Sequence, residues 1–196
     1  CVRRYWLIST IDGKSSDRAL HTLIFDDPEC RPFYYKNGKS FKDYHKEGEI
    51  FWHKYVTYTE GMSDYWDYSF FNVSVIRYAD VLLLYAECLN DKGETTEAIN
   101  IINKVRARVN VPALPLTMSK AEVLKHLQDK ERPCELALEG SRWYDLVRWG
   151  IVEETLKAHN KPFVENYVDT KHQLFPIPHS EFLLNPDWEQ NPNYSK

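Results

Sequence analysis

Between Ser74 and Val109 the apolar residues fall into two stripes at three- and four-residue spacing. The first holds Leu82, Tyr85, Ala86 and Leu89, and the second holds Ala98, Ile102, Val105 and Val109. Each set occupies one face of an α-helix. Asp91-Lys92-Gly93 separates them, and a glycine there is expected to end the first helix in left-handed backbone. Thr95 or Thr96 is expected to cap the second helix, with Glu94 and Glu97 favouring its positive end. The spacing therefore predicts a helical hairpin in which two small residues, Ala86 and Ala98, face each other.

Further helices follow. Pro112 and Pro115 end the second one, and Ser119 with Glu122 forms a capping box for a third. That helix carries Leu124 and Leu127, with Leu136 and Leu138 beyond. Gly140 bends or breaks the path, Ser141 to Trp149 reads as a short helix closed by Gly150, and Ile151 to His159 is a last helical piece before Pro162. The hairpin over 76–110 resembles a tetratricopeptide unit, in which small residues let two helices approach closely. One such unit cannot bury both faces alone, so residues 119–159 are expected to stack on it. Residues 1–73 read as an irregular, aromatic-rich region with short β-like runs at Tyr5–Thr10 and Leu20–Phe25. Turn chemistry marks Asp12-Gly13, Asp26-Asp27-Pro28 and Asn37-Gly38. The expected organisation is 1–73 irregular and 74–196 helical, a mainly α fold with long irregular loops.

With 43% hydrophobic residues, 28% charged residues and a net charge of −4, the chain has enough apolar surface for a core. It lacks the basic patch that nucleic-acid binding needs. The longest apolar run, Val81 to Ala86, is too short to cross a bilayer. No secretory signal is visible. The four cysteines, Cys1, Cys30, Cys88 and Cys134, form no CxxC pair, which leaves no zinc framework. Cys88 and Cys134 read as buried free thiols. Cys1 is weighed as a lipid-bearing terminus, but Val2-Arg3-Arg4-Tyr5-Trp6 follows it instead of a polar tether.

Glu131, Glu135 and Glu139 recur every fourth residue and share a face if their helix is continuous. Carboxylates at such spacing suggest acid–base catalysis or a metal site. A glycosidase pair, however, must face its partner across a bond from different elements, and none of the three glutamates has the Glu-x-x-His metal spacing. Ion pairing with Arg132, Arg142 and Arg148 is the preferred reading. Pro133 is expected to interrupt that helix. The histidines are scattered, and GxSxG, HExxH, phosphate-loop and Rossmann patterns are absent. No catalytic residue, metal or cofactor is assigned.

Aromatic residues are concentrated instead. Residues 33–71 hold 14 of the chain's 28 aromatics, interleaved with Asp, Asn, Ser and Lys. Flat rings with polar tips suit an amphipathic ligand such as a sugar, whose C–H face stacks while its hydroxyls hydrogen-bond. Trp52, Tyr65, Trp66 and Tyr68 are the candidate ligand contacts, and most of the remaining rings are expected to be structural.

Three stretches carry a family likeness: RYADVLLLYAE from Arg77 to Glu87, ERPCELALEGSRWYDLVRWG from Glu131 to Gly150, and LFPIP from Leu174 to Pro178. Asn185-Pro186, Gln190-Asn191-Pro192 and Tyr194 follow the last of these. In this order and spacing they resemble the SusD/RagB family over residues 74–194, with weaker similarity back to Asp17-Arg18. The resemblance implies a surface-exposed outer-membrane lipoprotein. Such a protein binds glycans, or sometimes peptides, and delivers them to a SusC-like TonB-dependent transporter. It also implies that this chain is the C-terminal portion of a longer protein, whose lipid anchor lies outside it. Two positions depart from the family pattern: Pro133-Cys134, and Asn193 where glycine is usual. Asn tolerates left-handed backbone, so little is lost there.

The proline-dense tail from Gln173 to Tyr194 is expected to be a strap across the helical layer. Phe175, Ile177, Phe182, Leu184, Trp188 and Tyr194 are its expected anchors, with low exposure expected for Phe175, Ile177 and Trp188. Glycan binding without catalysis is the leading functional reading. A tetratricopeptide-type protein adaptor is the alternative, and a glycosidase using Glu131, Glu135 or Asp145 ranks third.

Overall fold

Gly93 adopts a φ of +91°, a conformation that costs a residue with a side chain but not glycine. There the Gly93 N–H donates to the Asn90 carbonyl and the Glu94 N–H to that of Leu89. This reversal joins two helices. In the computed structural model, which describes residues 10–11, 14–27, 40–55, 72 and 74–195, the chain is mainly helical and divides into two compact units, Cys1–Arg142 and Trp143–Lys196.

The first unit opens with a two-residue antiparallel pair, β1 (Thr10–Ile11) and β2 (Lys14–Ser15). Helix α1 (Asp17–Thr22) follows, capped by the Ser16 side chain. Strand β3 (Leu23–Ile24) then pairs with β4 (Phe51–Trp52), setting Leu23 opposite Trp52. The expected run Leu20–Phe25 is thus partly helix and partly strand, and Tyr5–Ser9 lies outside the described residues.

Helices α2 (Tyr78–Asp91) and α3 (Thr95–Ala107) form the predicted hairpin. Ala86 and Ala98 are both fully buried, as close approach of two helix backbones requires. The buried stripe of α2 is Leu83, Ala86, Leu89 and Asn90, whereas Tyr85 is exposed and Leu82 only half-buried. Val81–Ala86 is apolar on every side, so periodicity alone does not select the packed face.

A polar clasp accompanies this choice. Buried Asn90 accepts from the Thr95 hydroxyl at 3.1 Å and donates to the Lys120 carbonyl at 2.9 Å, tying three helices together. Thr95 therefore serves Asn90 and does not cap α3, whose cap position is Glu94. Helix α4 (Lys120–His126) begins at the expected Ser119–Glu122 capping box and adds Val123 to the hairpin core, which Leu127 just beyond it completes.

Before Pro133 the helix widens into a π-type turn, Leu127–Glu131, in which the Arg132 N–H reaches the Leu127 carbonyl five residues back. Proline lacks an N–H and crowds the carbonyl four residues before it, and the wider turn shifts that register by one residue. Helix α5 (Arg132–Glu135) therefore continues through Pro133 and ends two residues later. Leu138 and Gly140 then take positive φ, so Glu139 leaves the helix that carries Glu131 and Glu135. A second core joins Cys134 and Ala137 to Ala19, Leu23, Phe25 and Ile50.

Helix α6 (Ser141–Arg148) leads into the second unit. There Leu146 packs on Val152 and Leu156 of α7 (Val152–Ala158), with Trp143 and Tyr167 against them. A 3-10 turn (Pro162–Asn166), α8 (Asp169–His172) and α9 (His179–Leu184) complete it.

The tail is a strap, but not one held by rings. Phe175 is 66% exposed and Trp188 48%, Leu184 is exposed, and only Phe182 among the expected anchors is buried. Ile177 is half-buried. Prolines leave the strap without a backbone ladder, and polar side chains satisfy its backbone instead. Gln190 accepts from the Ile177 N–H at 2.8 Å and donates to the Ile177 carbonyl at 2.9 Å. Asn191 donates to the Phe175 carbonyl, and the Tyr194 hydroxyl to that of Leu174. Asn193 sits at φ +66°, the left-handed conformation that Asn tolerates.

Candidate functional site

The three glutamates at four-residue spacing meet cations, but not those nearest in sequence. The Glu131 carboxylate is 0% exposed. It accepts from Arg18 at 2.6 Å, Arg106 at 2.6 Å and His126 at 2.9 Å. Glu135 accepts from Arg18 at 3.1 Å, Arg77 at 3.1 Å and Arg108 at 2.7 Å. Glu139 accepts from Arg77 at 2.8 Å and from Lys54. Arg132 turns instead to Asp80, Arg142 to the Gln128 carbonyl and Arg148 to Asp145. The ion-pair reading holds with different partners, because the π-type turn and the reversal after Glu135 aim these carboxylates at α1, α3 and residue 77.

Burial alone would push the Glu131 carboxyl up, but His126, Arg18 and Arg106 outweigh it and hold the group at about 2. Glu139 is likewise held below the ordinary carboxylate value: burial opposes this, and Arg77 and Lys54 prevail. A carboxyl ionised at neutral pH has no proton to give a leaving group, and with both oxygens occupied it has none free to act as nucleophile or base. The glycosidase reading loses Glu131 on that ground. Glu135 is closed off on both oxygens, and Asp145 is buried against Arg148. The network clamps the first unit together.

Cys134 is buried, and its thiol is pushed up to about 12, chiefly by that burial. Cys88 is exposed, contrary to expectation, because the buried face of α2 is the one centred on Ala86. Among the described residues no cluster of His, Cys, Asp and Glu could hold a metal ion, and no helix is long and apolar enough to cross a membrane.

Of the aromatic candidates, Trp52 lies in β4 and is half-buried against the core around Ala19 and Leu23. Tyr65, Trp66 and Tyr68 lie outside the described residues. The structure adds a surface that the aromatic count did not single out. A groove of about 690 Å³ runs along the outer faces of α2 and α3, with Leu82 and Val105 in its lining. Tyr78 and Tyr85 stand on one side of it, 76% and 51% exposed, and Lys104 and Arg108 on the other, with Arg77 at one end. Tyr78 and Tyr85 are seven residues apart and Lys104 and Arg108 four, so each pair shares a helix face. That spacing was the available signal. It was obscured because Leu82 and Tyr85 fitted a buried stripe equally well. In the second unit a smaller concavity of about 250 Å³ is walled by Trp143, Tyr167, His172, Phe175 and Tyr194.

Comparison with known proteins gives one consistent result. The sequence model of the SusD family matches residues 32–194. SusD-like protein P38 of Formosa agariphila is 37% identical over 130 residues, and SusD-like protein P25 of the same organism 36% over 125. The P38 match covers 63% of this chain and 25% of that protein, so the chain spans about a quarter of the length of that curated relative. A SusD superfamily protein of Bacteroides vulgatus superposes with a TM-score of 0.73 at 30% identity, covering 93% of this chain and 40% of that one. A SusD homolog of Bacteroides thetaiotaomicron gives 0.51 at 35% identity over 61% and 26%.

Proposed function

Because the chain belongs to the SusD family, we propose that it is part of a glycan-binding protein of the outer-membrane surface that delivers its ligand to a SusC-like TonB-dependent transporter. In this reading the protein is held to the membrane by a lipid anchor and performs no chemistry on the glycan. Trp52, Tyr65, Trp66 and Tyr68 are proposed as stacking contacts.

The observation that carries the reading, beyond family membership, is the groove beside α2. Two tyrosines expose their rings there next to hydrogen-bonding cations. Rings with polar neighbours match the alternating C–H faces and hydroxyl edges of a sugar. Calorimetric titration of the protein against a panel of soluble polysaccharides tests the proposal. Saturable binding of at least one glycan is expected, and absence of binding across neutral and charged members alike would overturn it.

A further inference from the structure

Among the described residues that line the groove along α2 and α3, three are cations, Arg77, Lys104 and Arg108, and none is acidic, in a chain whose net charge is −4. Two of these cations, Arg77 and Arg108, also belong to the clamp. Five permanent cations, Arg18, Lys54, Arg77, Arg106 and Arg108, engage three carboxylates, Glu131, Glu135 and Glu139. The clamp therefore carries two positive charges in excess. Glu131 and Glu135 are sealed inside, whereas the Arg108 side chain is 59% exposed and lines the groove together with Arg77. Arg108 commits one terminal nitrogen to Glu135, and its other N–H groups stay available. Lys104 sits one turn earlier on the same helix face, exposed and without an ion-pair partner among the described residues. Asp80, the acidic residue of the first turn of α2, is already paired with Arg132. The opposite wall presents Tyr78 and Tyr85, about 10 Å apart along the helix axis, a span suited to a short oligosaccharide.

From this arrangement we infer that the groove is a subsite for an anionic glycan, one bearing carboxylate or sulfate groups on its sugar rings. The inference rests on the glycan-binding reading above and narrows it to a ligand class. Rings of the ligand lie along Tyr78 and Tyr85 while the acidic substituents face Lys104 and Arg108. A guanidinium presents a planar fork of N–H donors that matches either a carboxylate or a sulfate. A neutral glycan would gain the stacking but leave the excess charge unanswered.

The test is binding of the protein to polygalacturonate, a sulfated galactan and neutral laminarin, each at low and at moderate salt. Lys104→Gln and Tyr85→Ala are run alongside, with thermal melts confirming that both variants fold. Expected is preferential binding of the uronate or the sulfated polymer, weakening as salt rises. Lys104→Gln should reduce that binding about two- to fivefold, the worth of one exposed ion pair, and reduce laminarin binding less, because glutamine keeps a hydrogen-bond donor for a neutral hydroxyl. Which polymer responds identifies the acidic group, and a response to either supports the inference. Tyr85→Ala should weaken every glycan that binds.

Equal binding of neutral and anionic polymers, with Lys104→Gln silent, would overturn the anionic subsite and leave the glycan-binding reading standing. Failure of all three polymers and of the wider panel would overturn both. A Tyr85→Ala variant that loses thermal stability but no glycan affinity would mark the groove as a packing surface and overturn the inference.

Discussion

Replacing Glu131 by glutamine tests the clamp at its most buried point. The substitution preserves volume and removes one negative charge from a side chain that is 0% exposed and touched by Arg18, Arg106 and His126. In the folded protein the carboxyl is held at about 2, against 4.5 for the free group. That separation corresponds to about 3 kcal/mol of folding stability at neutral pH. Removing one partner of a buried ion pair costs roughly 3–5 kcal/mol, so two routes agree on the scale.

The sign follows from a depressed folded-state value. The stabilisation is complete above pH 4.5 and is lost as pH falls toward about 2. Urea denaturation at a series of pH values measures it. Wild type should exceed Glu131→Gln by about 3 kcal/mol at pH 7, and the two should converge as pH falls through that window. Comparing them as a difference removes the contribution of Glu139, which titrates in the same direction. A variant within about 0.5 kcal/mol of wild type at pH 7, the range of an ordinary surface change, would refute the argument. So would a gap that does not close in acid.

Two further outcomes follow from the tail and the thiols. Gln190→Ala removes both bonds to Ile177 and should cost the strap about 1–2 kcal/mol, read as faster amide exchange and earlier proteolytic cleavage over 173–195. Trp188→Ala, at a half-exposed position, should leave those readouts nearly unchanged. Under native conditions a thiol reagent should label Cys88 and spare Cys134, which is buried and held at about 12; peptide mapping checks this, and Cys134 should react once denaturant is added.

Much of the helical frame was legible because its signals are local. A glycine after Asp91-Lys92 and a Ser119–Glu122 box act through neighbours three to five residues away, small residues at 86 and 98 meet across one short turn, and all three appear as expected. Asn193 is of the same kind, its φ of +66° allowed by its own side chain. The family likeness was also legible, since its motifs are contiguous runs. The strap's fastening was misread. A row of aromatics beside prolines suggested apolar anchoring, whereas Gln190, Asn191 and Tyr194 satisfy the backbone that the prolines cannot.

The groove shows the other limit. Tyr78, Tyr85, Lys104 and Arg108 have helical spacing in the sequence, but only the packed face of α2 decides that the tyrosines point outward. An all-apolar run such as Val81–Ala86 offers no local reason to prefer one rotation of the helix over another. The rotation seen here buries Leu83 and Asn90 and leaves Tyr85 exposed.

By itself, then, the sequence determined the turn at Gly93 and the start of the helix after Ser119, that two helices pack through alanines, and to which family the chain belongs. Those features depend on backbone dihedrals and on side chains close in the chain, within a turn or two or across one short helical hairpin. Tertiary structure alone decided which cations answer Glu131 and Glu135. Arg18 is 113 and 117 residues away from them along the chain, and the nearer arginines turn elsewhere. A charge accepts any cation that packing brings within reach, so its partner is settled only when the core that buries it has formed.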